Sequence, residues 1–372
     1  MPEITYDVIS CDSHVIEPPD LWGARLPAKY RDRGPRVVHD ENTDVIVCDE
    51  TVMPPVGLLA PPDRPNDQQR FEGRWDEDVP RGAYDPEARF GDMARDGVDA
   101  EVLFPTLGMR LFPIEDREFQ WALFRAYNDW IAETFVQAYP GLWKGVAMVN
   151  AEDVDGAIAE LKRAKGLGLS GIMLALEPGE NEPYWDQRFD PLWAACVEHE
   201  MPIHLHLTTT RRKKAHAGSA DRMPSPGEML AGEFGLGIQG VLIDMIHFGV
   251  FDRFPGLTLV SVESDAGWAS YLMEAADYRW TRIDALRPDQ RSKHEPSHYF
   301  HQNIKMTIMR DRTAILAREI IGVDSMMWGS DFPHQTSTWP NSKAVLDKLF
   351  HDQPREVRNA LVCDNVRKLY GF

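Results

Sequence analysis

Eight short apolar runs, each followed by a longer amphipathic stretch, constrain this 372-residue chain more than any other feature. They are YDVIS (6–10), AEVLF (100–104), KGVAMV (144–149), GIMLAL (171–176), PIHLHL (202–207), LTLVSVE (257–263), NIKMTIM (303–309) and SMMWGS (325–330). Runs this brief and this rich in β-branched residues read as strands buried on both faces. Helical periodicity fills 86–97, 116–139, 153–166, 189–200, 236–253, 266–285, 311–321 and, in two pieces, 341–371. In "GDMARDGVDAEVLF" the unit is plain: a helix, a stop at Gly97, then a strand. Eight strands alternating with eight helical regions predict an α/β fold, a (β/α)8 TIM-like barrel, as one domain over residues 1–372. Two segments break the repeat and read as insertions. Residues 23–84 follow the first strand and contain a hairpin pattern, RVVHD with DVIVCDE, and residues 208–234 follow the fifth. Both leave from strand C-terminal ends, so they are expected to cover the site as lids.

A barrel keeps its chemistry where strands hand over to loops. Those ends carry an unusual set of polar residues. Asp12 and His14 follow the first run, and His204 and His206 lie in the fifth. Glu263 ends the sixth, and Asp331 follows the eighth, with His334 beyond it in "WGSDFPHQTSTWP". Residues two apart on a strand share a face, so Asp12 and His14 can converge on one ion, as can His204 and His206. Imidazoles and carboxylates without thiolates suit zinc, manganese or iron.

Composition narrows the partners. A net charge of −19 excludes the basic footprint of a nucleic-acid binder. No apolar run approaches a membrane span. The four scattered cysteines and the lack of a signal-peptide pattern fit a soluble, cytoplasmic protein.

These motifs also carry a resemblance. D-x-H-x-x-E from Asp12 to Glu17, the histidine closing the fifth strand, "FDRFPGLTLVSVESDAGW" and "WGSDFPH" resemble the amidohydrolase superfamily. The nearest branch includes aminocarboxymuconate-semialdehyde decarboxylase and the resorcylate-type decarboxylases. The resemblance implies that Asp12, His14, His206 and Asp331 bind the metal, and that Asp331 also shuttles protons. It implies a homodimer joined by the last helices or the lid loops. Two positions depart from the pattern. Asp12 stands where the family has a first histidine, and Glu263 stands where relatives often hold a catalytic one.

The expected activity is metal-dependent hydrolysis or non-oxidative decarboxylation of a carboxylated or carbonyl-bearing small molecule. One divalent ion (zinc, manganese or iron) is expected, with Asp331, Glu263 and His204 as catalytic candidates. Arg110 and His334 are candidates for substrate binding, Arg110 by a bidentate grip on a carboxylate. Glu17, His204, His247 and Glu263 are the reserve for a second metal or for support of the first. With two irons, the alternative is a non-haem oxygenase on the same scaffold. A third reading is a non-catalytic binding protein with a vestigial site. The basic run Arg211 to Lys214 reads as a solvated loop face, or as a grip on an anionic tail such as that of coenzyme A.

Overall fold

The first apolar run continues past its apolar letters. In the computed structural model β1 spans Ile9–Val15 and is buried throughout, so Asp12 and His14 lie inside the strand. The hydrophobic pattern ended at Ser10 because the next positions turn polar groups inward. Residues 5–60, 62–65, 68, 70–179, 182–207, 209–211, 235–286 and 292–372 are described.

After β1 come three strands of a side sheet, β2 (Arg36–His39), β3 (Asp44–Cys48) and β4 (Thr51–Val52), paired antiparallel in that order. The main strands follow: β5 (Ala100–Pro105), β6 (Trp143–Gly145), β7 (Ala147–Met148), β8 (Ile172–Leu174), β9 (Ile203–His206), β10 (Leu259–Val262), β11 (Ile304–Ile308) and β12 (Met326–Trp328). They form two parallel sheets, ordered β1-β5-β6 and β12-β11-β10-β9-β8-β7. Each of the eight apolar runs therefore holds a parallel strand, the third broken into β6 and β7 at Val146. There Val146 N–H donates to the Leu103 carbonyl at 3.1 Å, and Ala147 N–H to the Gly171 carbonyl at 2.9 Å.

The other ends of the two sheets also meet. Asp331 N–H donates to the Asp12 carbonyl at 2.8 Å, and His14 N–H to the Phe332 carbonyl at 2.6 Å. Gly329 makes this approach possible, because a Cβ there would lie 2.5 Å from the Asp12 Cβ.

Helices start where a carboxylate caps them. Asp85, Asp116, Asp153 and Asp311 accept from the first-turn N–H groups of the helices at Pro86–Asp96, Arg117–Ile131, Val154–Gly166 and Arg312–Leu316. Gly97, at φ +77°, ends the first of these in the left-handed conformation. The expected hairpin exists, with Val37 opposite Ile46, and β4 adds a third strand that the pattern did not reveal. The Gln335 side chain donates to the Gly57 carbonyl, which ties the 23–84 segment to the loop after β12. Of the 208–234 segment only 209–211 are described, so its reading as a lid lies outside the described residues. Among the described residues no helix is long and apolar enough to cross a membrane.

Candidate metal centre and active site

Asp12, His14, His206 and Asp331 converge at the strand ends, and all four are buried. The hydrogen bonds fix which ring atoms are free. His14 Nδ1 lies 2.9 Å from the Pro105 carbonyl, and His206 Nδ1 lies 3.0 Å from the Leu207 carbonyl. A carbonyl only accepts, so each Nδ1 carries the proton and each neutral ring turns a lone pair outward at Nε2. The two Nε2 atoms are 3.1 Å apart. Asp12 Oδ1 lies 3.5 Å from one and 3.6 Å from the other, and Asp331 Oδ1 lies 3.6 Å from His14 Nε2. Asp12 Oδ1 has no hydrogen-bond partner. Lone pairs facing one another in a dry site, with a carboxylate oxygen left open, are costly unless a cation sits among them. The donor set fits a divalent first-row ion. Asp12, His14 and His206 form one metal-competent triplet, and His14, Asp331 and His334 form a second that shares His14.

Titration agrees with this geometry. Burial, reinforced by the charge on His334, pushes the His14 ring down to about 4, so it is a neutral ligand at ordinary pH. Burial alone would raise the Asp12 carboxyl, but the His14 and His206 rings outweigh it and hold it well below the usual carboxylate range.

Each ligand has its support. Asp331 sits at φ +60°, and Glu263, beyond β10, at φ +57°. Left-handed backbone is uncommon for such residues and gathers at functional sites. His334 Nδ1 meets Asp331 Oδ1 at 2.7 Å, and the Thr336 hydroxyl donates to Asp331 Oδ2 at 2.8 Å. The far side of the His334 ring, Nε2, meets the Thr106 hydroxyl at 3.0 Å. Burial works against a charge on His334, but Asp331 and Asp12 outweigh it, so its pKa stands above the ordinary value. The backbone of His14 is held by a buried ion pair. Arg89 grips Glu101 in two-pronged fashion at 2.6 and 3.0 Å and donates to the His14 carbonyl at 2.9 Å. Breaking such a pair costs about 3–5 kcal/mol. Neither partner was legible as a site residue, because nothing in the spacing links a mid-helix arginine to a strand glutamate.

Glu263 Oε2 lies 3.6 Å from His206 Nδ1. Burial and the charges of Asp331 and Asp12 push its carboxyl well up, while Arg110 pulls it down. Burial lowers the Arg110 pKa, and the charge of Glu263 opposes the shift. The Glu263 N–H donates to the Thr307 hydroxyl at 2.8 Å, and that hydroxyl approaches Asp12 Oδ2 at 3.5 Å.

Four expectations are corrected. His204 does not join His206: its Nδ1 meets the Ile172 carbonyl at 3.1 Å and its Nε2 meets the Tyr370 hydroxyl at 2.8 Å. Both ring nitrogens are used, which leaves none for an ion or a substrate. Glu17 is likewise engaged, accepting from the N–H groups of Thr106, Leu107 and Gly108 at 3.2, 2.8 and 2.8 Å. It shapes the loop that carries Thr106 and Arg110. His247 ends the helix at Leu236–His247, is half-buried and belongs to neither triplet. Arg211 donates to Glu152 and to the Phe112 carbonyl, both at 2.6 Å, so it does not present a free cation to an anionic tail. Residues 212–214 lie outside the described residues. With Glu17, His204 and His247 elsewhere, the ligand set expected for two irons is not assembled.

The chain belongs to the amidohydrolase family, whose model matches residues 10–372. The family expected from the motifs is thus the family found. The decarboxylase orsB of Emericella nidulans is 26% identical over 224 residues, 57% of this chain. That match spans 65% of the relative's length, just under two thirds. The amidohydrolase map2389c of Mycobacterium avium subsp. paratuberculosis K-10 superposes with a TM-score of 0.79 at 22% identity, over 99% of this chain and 100% of that one. The 5-carboxyvanillate decarboxylase of Novosphingobium aromaticivorans DSM 12444, solved with manganese and 4-hydroxy-3-methoxy-5-nitrobenzoic acid, gives 0.67 at 18% identity, over 100% and 98%. At these identities the structural likeness shows the fold alone.

Proposed function

We propose that this protein is a metal-dependent, non-oxidative decarboxylase of a hydroxylated aromatic carboxylic acid, built on a (β/α)8 barrel. The barrel reading is supported by the backbone bonds that join β1 to the residues after β12. One observation carries the functional reading: four buried donors, Asp12 Oδ1, His14 Nε2, His206 Nε2 and Asp331 Oδ1, meet at the strand ends, with the Glu263 carboxyl 3.6 Å from His206 Nδ1. The decarboxylase names among the relatives support the reaction class.

Asp12, His14, His206 and Asp331 would hold the ion. When bound, it supplies positive charge against the substrate's carboxylate and hydroxyl oxygens. The chain's own residues do the rest. Arg110 orients the acid through charge-assisted hydrogen bonds. The proton shared by Asp331 Oδ1 and His334 Nδ1 is delivered to the ring carbon that bears the carboxylate. The bond from that carbon to the carboxylate then breaks, its electron pair returns to the ring, and carbon dioxide leaves. Thr336 and Thr106 keep the Asp331–His334 pair in line during the transfer.

The test is a panel of hydroxybenzoic acids incubated with manganese-loaded protein in heavy water, without oxygen. Carbon dioxide release with one deuterium on the product ring is expected. Turnover of esters, amides or lactones with no carbon dioxide from any acid would replace this reading by hydrolysis. A requirement for oxygen would replace it by oxygenation.

A further inference from the structure

Between Ser10 and Ser13 the first strand carries one residue too many. Ser10 pairs with Glu101 of β5 and Ser13 with Leu103, so Cys11 and Asp12 together stand opposite Val102. Such a bulge re-aims a side chain against the alternation of the strand, and bulges gather beside active sites. This one contains Asp12, and three hydroxyls hold it.

Ser10, Ser13 and Ser330 are buried where a strand covered on both faces is otherwise apolar. In a regular strand, residues three apart point to opposite faces. The extra residue brings Ser10 and Ser13 to the same side, with their hydroxyls 2.8 Å apart. Each hydroxyl has one proton to give, and its neighbours decide the direction. Ser10 Oγ accepts from the Ser330 N–H at 2.9 Å and from the Ser13 hydroxyl at 2.8 Å. Its own proton goes to the Asp12 carbonyl at 3.0 Å, a closer approach than the 3.2 Å to Ser330 Oγ. Ser13, having given its proton to Ser10, accepts from the Ser330 hydroxyl at 3.1 Å. Ser330 Oγ in turn accepts from the Phe332 N–H at 3.3 Å. The chain runs one way, from Ser330 through Ser13 and Ser10 to the carbonyl of Asp12. That carbonyl also accepts from the Asp331 N–H at 2.8 Å, so both of its lone pairs are used. Asp12 in its bulge and Asp331 in its left-handed backbone are thus tied to one oxygen atom.

We propose that Ser10, Ser13 and Ser330 are positioning residues for the metal: their bonds fix the bulge in β1 and so hold Asp12 and Asp331 at the spacing an ion requires. The inference rests on the reading of Asp12, His14, His206 and Asp331 as the ligand set.

Titration of the metal-free protein with manganese, followed by the loss of the free ion's electron paramagnetic resonance signal, separates the two. Wild type should bind and His206→Ala should not. Ser10→Ala removes both the donor to the Asp12 carbonyl and the acceptor of the Ser330 N–H. It should weaken binding by about 10- to 100-fold, the usual cost of losing a group that orients a ligand. Ser13→Ala breaks only the middle link and leaves every backbone group paired, so it should fold whatever becomes of Ser10→Ala. A smaller loss of affinity, with a changed spectrum of the bound ion, is expected of it. Tyr370→Phe, which costs stability without touching the ligands, should bind as wild type does. Wild-type affinity and spectrum in the folded serine variants would overturn the proposal and leave the ligand set standing. A loss that Tyr370→Phe shares at equal stability would also overturn it, reducing the serines to support of the fold. Tight binding by His206→Ala would overturn the ligand set and this inference with it.

Discussion

His204 and His206 stand two residues apart on β9 and are both fully buried, yet one is packed and the other is poised. His204 has a partner on each nitrogen, the Ile172 carbonyl and the Tyr370 hydroxyl. His206 has a partner on Nδ1 only, and its Nε2 faces another imidazole Nε2 and the open oxygen of Asp12. Burial and strand parity do not separate them. What separates them is whether every polar atom is satisfied by the protein itself. A saturated group holds the fold together, whereas an unsaturated one implies something still to be bound.

The sharpest way to break this comparison is to exchange the two residues' fates. His206→Ala is expected to abolish stoichiometric metal and bring turnover to background, whereas His204→Ala keeps its metal and loses stability. Elemental analysis beside a melting curve for each variant decides the matter. Equal metal loss in both would show that His204 reaches the site. Next in size is Asp331→Asn, which removes the carboxylate that His334 and Thr336 hold. The expected loss in kcat is about 10²–10⁴-fold, the usual range for a proton-transfer group. Thr336→Val should reproduce a small part of it, with KM little changed.

Glu17 extends the comparison to a carboxylate that the protein saturates. Burial pushes it up to about 7, against the pull of the three N–H groups it accepts from. Its folded pKa thus stands above the ordinary 4.5. Between those values the folded chain holds a proton that the unfolded chain has lost. This contribution is fully present below pH 4.5 and fades as pH rises through 7, by about 3 kcal/mol at one kcal-scale step per unit. The melting temperature of wild type relative to Glu17→Gln should therefore fall between pH 5 and pH 8. A difference that rises over the same range would mean that the three N–H groups outweigh burial.

Much of this was legible beforehand, for a physical reason. Strand positions buried on both faces must be apolar, so all eight strand-bearing runs stood out, and metal-competent residues at their ends were conspicuous against that background. The strand ends offered His204, Glu263 and His334 on the same footing, and it was the family resemblance that singled out Asp12, His14, His206 and Asp331 as the ligand set. The remainder depends on contacts that no local pattern encodes. His204 looked equivalent to His206 because alternation reports the face of a strand and not the depth along it. Tyr370, the residue that distinguishes them, lies 166 positions away from His204. Arg89, Thr106 and Thr307 were missed likewise, since each acts on a ligand brought near only by the fold. Glu17 was placed near the metal on motif alone, before the loop whose N–H groups it accepts could be seen.

Tyr370→Phe asks the smallest question and isolates one hydrogen bond. The hydroxyl meets His204 Nε2 at 2.8 Å, and both residues are buried. The His204 Nδ1 proton is already committed to the Ile172 carbonyl, so Nε2 accepts and the tyrosine donates. Removing the hydroxyl leaves one buried acceptor unpaired, at a cost of about 1–3 kcal/mol. Ring packing survives, because phenylalanine keeps the stacked contact at 5.9 Å between centroids. Metal content and kcat should not move, since nothing in the ligand set touches this pair. Denaturant unfolding beside elemental analysis reads both quantities. If metal falls together with stability, the saturated histidine is coupled to the open one through β9, and the division between a holding group and a binding group has to be redrawn.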